Sequence, residues 1–257
     1  MRKWNFCAGP AVISEEVLSE VQSELLEYPN SGSSIMEMSH RSSTYMKVAL
    51  DAKQDLKDIL KIPENYEILF LQGGATHQFS MIPMNFKNLT GSADYITTGS
   101  WTKKAFIEGS KIMDIKEIYS SEKGGFTCAP DLENLELSEN AAYVHYCPNE
   151  TIEGNAIHEV PKINKPLVAD MSSVILSEPI EIGNFSLIYA GAQKNIGPAG
   201  LTIVIIKKEF MEQCNSNLPN LFRYSEHAKS DSMLNTPPTF SWYVAVSYTH
   251  LTLPTKA

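Results

Sequence analysis

Short apolar runs that each stop at a glycine-rich or polar cluster constrain this chain more than any other feature. Ile68-Leu69-Phe70-Leu71 runs into Gln72-Gly73-Gly74-Ala75-Thr76. Tyr95-Ile96-Thr97 precedes Gly99-Ser100-Trp101, and residues 142–146 precede Cys147-Pro148-Asn149-Glu150-Thr151. Leu167-Val168-Ala169 ends at Asp170, residues 187–190 lead into Gly191-Ala192-Gln193-Lys194, and residues 201–206 close the series. Runs this short and this apolar read as strands buried on both faces. Between them lie stretches with helical spacing. Residues 14–26 place Val17, Leu18, Val21 and Leu25 behind a candidate Ser14 cap, and residues 44–60 repeat the habit with Met46, Val48, Leu50, Leu56, Ile59 and Leu60. A further helical stretch runs from the Gly73-Gly74 turn through Phe86. The alternation predicts an α/β fold, with a mostly parallel sheet covered by helices on both faces.

At 257 residues the chain is long enough for one large α/β domain, or one domain and part of a second. Hydrophobic residues at 43% and charged residues at 20% fit a globular protein. A net charge of −9 argues against a nucleic-acid surface, which needs clustered Lys and Arg, but leaves room for a locally basic pocket. The N-terminus lacks the apolar core of a secretory signal, and Ile203-Val204-Ile205-Ile206 is far too short to span a bilayer. Cys7, Cys128, Cys147 and Cys214 have no CxxC spacing and read as free thiols, which predicts a cytoplasmic protein without membrane contact. The histidines share no metal-ligand spacing, so no metal site is expected. After Pro237-Pro238 a turn enters an apolar helix to Val246; residues 247–257, Thr-rich and holding Pro254, read as a non-native tail.

Ligands in open α/β sheets gather beyond the carboxyl ends of the strands, where all these clusters fall. Gly73-Gly74 is either a tight turn or a cradle bringing backbone N–H groups to a phosphate. Asp170 is either a helix cap ahead of Ser172 and Ser173 or a buried ligand carboxylate. Lys194 is either a loop lysine or an amine whose pKa is lowered by burial and which can form an imine. Taken together, Asp170 and Lys194 suit pyridoxal phosphate: the amine holds the cofactor and the carboxylate keeps its ring nitrogen protonated. Trp101 is either a core residue or a face for that ring to stack on. Thr151 is either a turn residue or a donor to a ring oxygen. His40-Arg41 is either a solvated pair or an anion ligand.

Whole strings then resemble one family. Asn5-Phe6-Cys7-Ala8-Gly9-Pro10 is similar to the opening of the phosphoserine aminotransferases, and residues 35–41 resemble their substrate loop. His145-Tyr146-Cys147-Pro148-Asn149-Glu150-Thr151-Ile152-Glu153-Gly154 and residues 189–200 are highly specific to that family. Asn235-Thr236-Pro237-Pro238-Thr239 completes the set. The resemblance covers residues 4 to about 246, in the family's order.

It implies a fold-type I, class V, pyridoxal-phosphate enzyme working as a homodimer with shared active sites. Residues 1–246 would be the N-terminal segment and large cofactor domain, with the small C-terminal domain largely missing. Lys194 would be catalytic and bind the cofactor, Asp170 would pair with its ring nitrogen, and Trp101 would stack on it. Thr151 and Gln193 would hydrogen-bond the ring oxygen side or the phosphate. Ala75 and Thr76 would hold the phosphate through their backbone, and Asn235 and Thr236 would reach the phosphate in the partner subunit. Ala8, His40 and Arg41 match positions near substrate. The reaction would move an amino group between L-glutamate and 3-phosphohydroxypyruvate, giving O-phospho-L-serine and 2-oxoglutarate in serine biosynthesis; related members also serve pyridoxine biosynthesis on a similar phosphorylated keto acid. Two departures stand out. Thr76 occupies a position where many relatives carry an arginine, and the small domain that supplies an arginine for the substrate carboxylate is not in this sequence. Rival readings are a non-catalytic fragment that binds cofactor, and another class V activity such as cysteine desulfuration.

Overall fold

The computed structural model describes residues 2–252, with side chains through Ser247. Six of its strands have one direction and lie in one sheet with a seventh that opposes them. In chain order the sheet contains β1 (Tyr66–Leu71), β2 (Ser92–Thr97), β3 (Asp114–Ser120), β4 (Ala141–Tyr146), β7 (Leu167–Asp170), β8 (Leu187–Gly191) and β9 (Thr202–Lys207). The short strands β5 (Asn149–Glu150) and β6 (Asn155–Ala156) pair separately, folding residues 149–156 into a hairpin. The sheet order is β1-β9-β8-β7-β4-β2-β3. All neighbours are parallel except at β9, which is antiparallel to both β1 and β8.

The sheet divides the apolar residues between two cores, because successive side chains on a strand point to opposite faces. Ile203 and Ile205 of β9 enter one core with Ile188 and Ala190 of β8. Val204 and Ile206 enter the other with Leu187 and Tyr189. Helices α1 (Glu15–Glu24), α2 (Ser43–Ile59) and α7 (Thr239–Thr252) supply the first core, and α3 (Gly74–Thr90) and α4 (Ser100–Ser110) the second. Short helices α5 (Lys208–Met211) and α6 (Tyr224–Lys229) add Phe210 and Tyr224 to that second core. Helices therefore cover both faces, as the alternation of runs predicts.

Local signals set the boundaries. Ser14 caps α1 by accepting from Val17 N at 3.2 Å, and Ser42 does the same for Tyr45 N of α2. The buried stripe of α2 is Tyr45, Val48, Ala49, Ala52 and Leu56, a helical i, i+3, i+4 pattern. Leu50, expected on that stripe, is 56% exposed instead. The helix expected after Pro237-Pro238 is α7, whose Trp242 stacks on Phe70 with ring centroids 4.3 Å apart. Its backbone runs across the expected boundary at residue 247, and the remainder of the expected tail, residues 253–257, lies outside the described residues. Strand β3 and helix α4 were not foreseen. No helix among the described residues is long and apolar enough to cross a membrane.

Candidate active site

The carboxyl ends of β1, β2, β4, β7 and β8 open on one cavity. Its walls include Ala75 and Thr76 after β1, Trp101 after β2, Thr151 after β4, Asp170 at the end of β7, and Gln193 and Lys194 after β8. Seven expected ligands thus meet in one place.

Asp170 is buried, and it caps no helix. Its Oδ1 accepts from Ser172 N at 3.0 Å and from Ser172 Oγ at 2.6 Å, closing a turn on itself. Ser172 Oγ in turn accepts from Gly191 N at 3.0 Å, so one hydroxyl ties the carboxylate to the neighbouring strand β8. Burial raises the Asp170 pKa; the Ser172 hydrogen bonds and the Lys194 charge oppose that rise. A buried carboxylate in this state is suited to a cationic N–H partner.

Lys194 is half-buried. Burial lowers its pKa, against the pull of Asp170, Cys147 and Glu150. Its Nζ donates to Thr151 Oγ1 and stands 6.0 Å from the centroid of the Trp101 ring. The N-terminal segment passes directly over it. A Cβ added at Gly9 would lie 3.2 Å from Lys194 Cγ, so a side chain there would press on the lysine stem. Ala11 N fastens the segment by donating to Gln193 O at 2.8 Å.

One end of the cavity is a helix start without a side-chain cap. Gly73 has φ +92° and no side chain, and nothing on α3 supplies an acceptor to its first N–H groups. Free N–H groups at such a terminus attract an anion. The remaining walls also fit pyridoxal phosphate: an aromatic face, an amine whose pKa burial lowers, and a buried carboxylate that suits a ring nitrogen. Trp101 Nε1 is buried there without a hydrogen-bond partner.

Not every expected residue reaches the cavity. His40 and Arg41 sit before α2, where Arg41 Nε donates to His40 Nε2 at 3.2 Å. Ala8 is exposed, one residue from the Gly9 crossing. Asn235 lines a different cavity, with Gln72 and His77, and Thr236 O accepts from Gln72 Nε2 at 2.8 Å. Cys147 lines the main cavity, but burial pushes its thiol well above the ordinary range, so it holds no ready thiolate for sulfur chemistry. The described residues contain no cluster of metal-ligating side chains.

Sequence reading missed Glu150 and Glu153. Glu150 is fully buried. Its Oε2 accepts from Trp101 N at 3.0 Å and its Oε1 from Thr102 N at 2.8 Å and Thr102 Oγ1 at 2.5 Å. Glu153 Oε1 accepts from Ser100 N at 3.1 Å. A glycine at the cap position of α4 was the available signal. Gly99 has room for no side chain, because its Cβ would lie 2.4 Å from Glu150 Cγ.

Known proteins bear on this geometry. The model of the family Aminotransferase class-V matches residues 3–249. The phosphoserine aminotransferase of Hahella chejuensis is 49% identical over 245 residues, which is 95% of this chain and 68% of that protein. That of Acinetobacter baylyi is 50% identical over 246 residues, with the same coverage of 95% and 68%. Among solved structures, the phosphoserine aminotransferase of Bacillus circulans subsp. alkalophilus superposes with a TM-score of 0.94 at 43% identity, covering 97% of this chain and 70% of its own. The pyridoxal-phosphate-bound phosphoserine aminotransferase of Trichomonas vaginalis does so with a TM-score of 0.89 at 38% identity, again covering 97% and 70%. The cofactor that the cavity suits is therefore the one found in a relative of the same fold, and the chain belongs to the class-V aminotransferase family.

Proposed function

We propose that this chain is the cofactor-holding part of a phosphoserine aminotransferase, moving an amino group between L-glutamate and 3-phosphohydroxypyruvate. Residues 1–246 form its N-terminal segment and large domain, and it acts in the cytoplasm as a homodimer. The observation that carries this reading is the meeting of Lys194, Thr151, Trp101 and Asp170 around one cavity, beside the uncapped start of α3.

Lys194 Nζ is the covalent attachment point for pyridoxal phosphate, and its lowered pKa keeps more of it as a neutral amine. When bound, the cofactor supplies an electron sink that lets a proton leave the amino acid's α-carbon. Lys194 Nζ, with its lowered pKa, would be the base that holds and moves a proton beside the bound cofactor. Thr151 Oγ1 accepts from Nζ and would orient it. Asp170 keeps the ring nitrogen protonated, and Ser172 fixes the carboxylate that does so. Trp101 covers a ring face, Gln193 meets the oxygen side, and Ala75 and Thr76 hold the phosphate by their N–H groups. Asn235 lines a different cavity and the Thr236 backbone is held by Gln72, and both would reach the cofactor phosphate of the partner subunit. Ala8, His40 and Arg41 lie near substrate, the last two offering cationic groups to it.

A second reading has a specific observation behind it. His40 and Arg41 lie outside the cavity, and the chain spans 68% of the length of its curated relatives. A protein that loads cofactor without turnover has these properties. Purified chain is mixed with pyridoxal phosphate, then glutamate and 3-phosphohydroxypyruvate. Loading is expected to give the visible band of the lysine-bound cofactor, which Lys194→Ala abolishes after dialysis. Glutamate-dependent formation of phosphoserine supports the enzyme; loading without product supports the second reading. A persisting band in Lys194→Ala overturns the assignment of Lys194.

A further inference from the structure

We infer that Glu150 is a positioning residue for the cofactor ring, acting through Trp101. This inference rests on the reading that Trp101 covers the ring.

Helix α4 begins in an unusual way. A helix leaves its first N–H groups unpaired, and a short polar side chain at the cap position ordinarily takes one of them. Here the cap residue is Gly99, which has none. The acceptors come instead from the hairpin after β4. Glu150 spans the N–H groups of Trp101 and Thr102 with its two oxygens, and Glu153 takes that of Ser100. Thr102 Oγ1 accepts from Thr98 N at 2.9 Å and Gly99 N at 3.2 Å and donates to Glu150, so the hydroxyl locks the carboxylate from below. Charge-assisted bonds of this kind are short and directional. The result fixes the backbone N of Trp101 itself, and hence the root of the side chain that faces the cavity.

The placement also links two walls. Glu150 is the chain neighbour of Thr151, whose hydroxyl receives the Lys194 amine. One dipeptide thus holds the aromatic wall with one residue and the amine with the next. Asp170 and Ser172 do not hydrogen-bond to Glu150 or Thr151; the Asp170 turn meets the same loop one residue earlier, where Asn149 Nδ2 donates to Ser173 Oγ at 2.9 Å.

A double-mutant cycle tests this, using the purified chain and the dissociation constant of pyridoxal phosphate. Glu150→Gln keeps the size of the side chain but turns one acceptor into a donor facing a backbone N–H. It is expected to weaken cofactor binding about tenfold, as is Trp101→Ala, while the double variant is weakened little further because both act through one ring. The visible circular dichroism of the bound cofactor, which reports the ring's asymmetric surroundings, is expected to change alike in both single variants. Thr102→Val, which removes the locking hydroxyl but keeps the shape, is expected to move both readings in the same direction by less. It replaces Glu150→Gln in the cycle if that variant fails to fold. Losses that multiply in the double variant, or an unchanged dichroic band in the Glu150 or Thr102 variant, overturn the inference. A Trp101→Ala variant that binds as the parent does overturns the ring-covering reading, which is a separate failure.

Discussion

Helices α3 and α4 start beside the same cavity, and they treat their N-termini in opposite ways. Both follow a strand directly and both have glycine at the cap position. The α4 terminus is filled by Glu150 and Glu153, two carboxylates from a distant part of the chain. The α3 terminus has no side-chain cap. Two equal dipoles therefore differ in what neutralises them: one takes its anion from the protein, the other leaves the place open. The filled terminus is rigid and presents a ring face. The open one suits a phosphate. Glycine also serves two purposes here. Gly73 provides a left-handed φ of +92°, whereas Gly99 is extended and provides space for a glutamate.

The strongest way to break the contrast is to give α3 an anion of its own. Ala75→Asp puts a carboxylate in the first turn, where it repels phosphate and favours the helix. Cofactor affinity is expected to fall on the order of a hundredfold, about 2.7 kcal/mol. The melting temperature of the cofactor-free chain should hold or rise slightly. A parallel loss of stability and binding would mean the substitution acts by misfolding, and the open terminus would lose its assigned role.

The converse change empties α4. Glu150→Ala leaves buried N–H groups unpaired, and urea unfolding of the cofactor-free chain is expected to show a loss of about 2–4 kcal/mol. Glu153→Ala, at the less buried end of the clamp, should cost about 1 kcal/mol. Equal losses would show that the two acids are interchangeable.

A third change sharpens the link between that clamp and the lysine. Thr151 accepts a hydrogen bond from Lys194, which favours the charged amine. Burial already holds the Lys194 pKa below its usual value, so the neutral amine appears as pH rises through that lower value. Thr151→Val should move the apparent pKa of cofactor attachment further down, with faster loading at neutral pH, by a factor of about 3–10. A shift upward would show that Thr151 favours the neutral amine instead. Slower loading without a shift would assign Thr151 to orientation alone.

Much of this was legible in the sequence, for reasons that also explain the gaps. Strands such as β4, β7 and β8 are buried on both faces and so appear as plain apolar runs. Strand β3 lies at the sheet edge, carries Asp114, Lys116 and Glu117, and showed no such run. The direction of β9 could not be read, since an apolar run looks the same either way. Asp170 and Lys194 drew notice because a charged group at the end of a buried strand is costly without a partner, but their roles were read from the strings around them that resemble the family. Glu150 was not, because a cap supplied from β5 to α4 has no local pattern. His40 and Arg41 stood out as a cationic pair, yet nothing in their spacing says how far they lie from the cavity.

The antiparallel placement of β9 has a consequence for the order of folding. Strand β1 carries the Gly73-Gly74 turn at its end, and among the described residues β9 is its only sheet neighbour, pairing Tyr66 with Lys207. On a ribosome, β1 emerges long before its partner and has no edge to join. The Gly73-Gly74 turn is therefore fixed late, after β9 has been synthesised and closed a long loop. Until then an apolar strand stays unpaired, and a chain interrupted before β9 would be a poor acceptor of cofactor and a good substrate for aggregation.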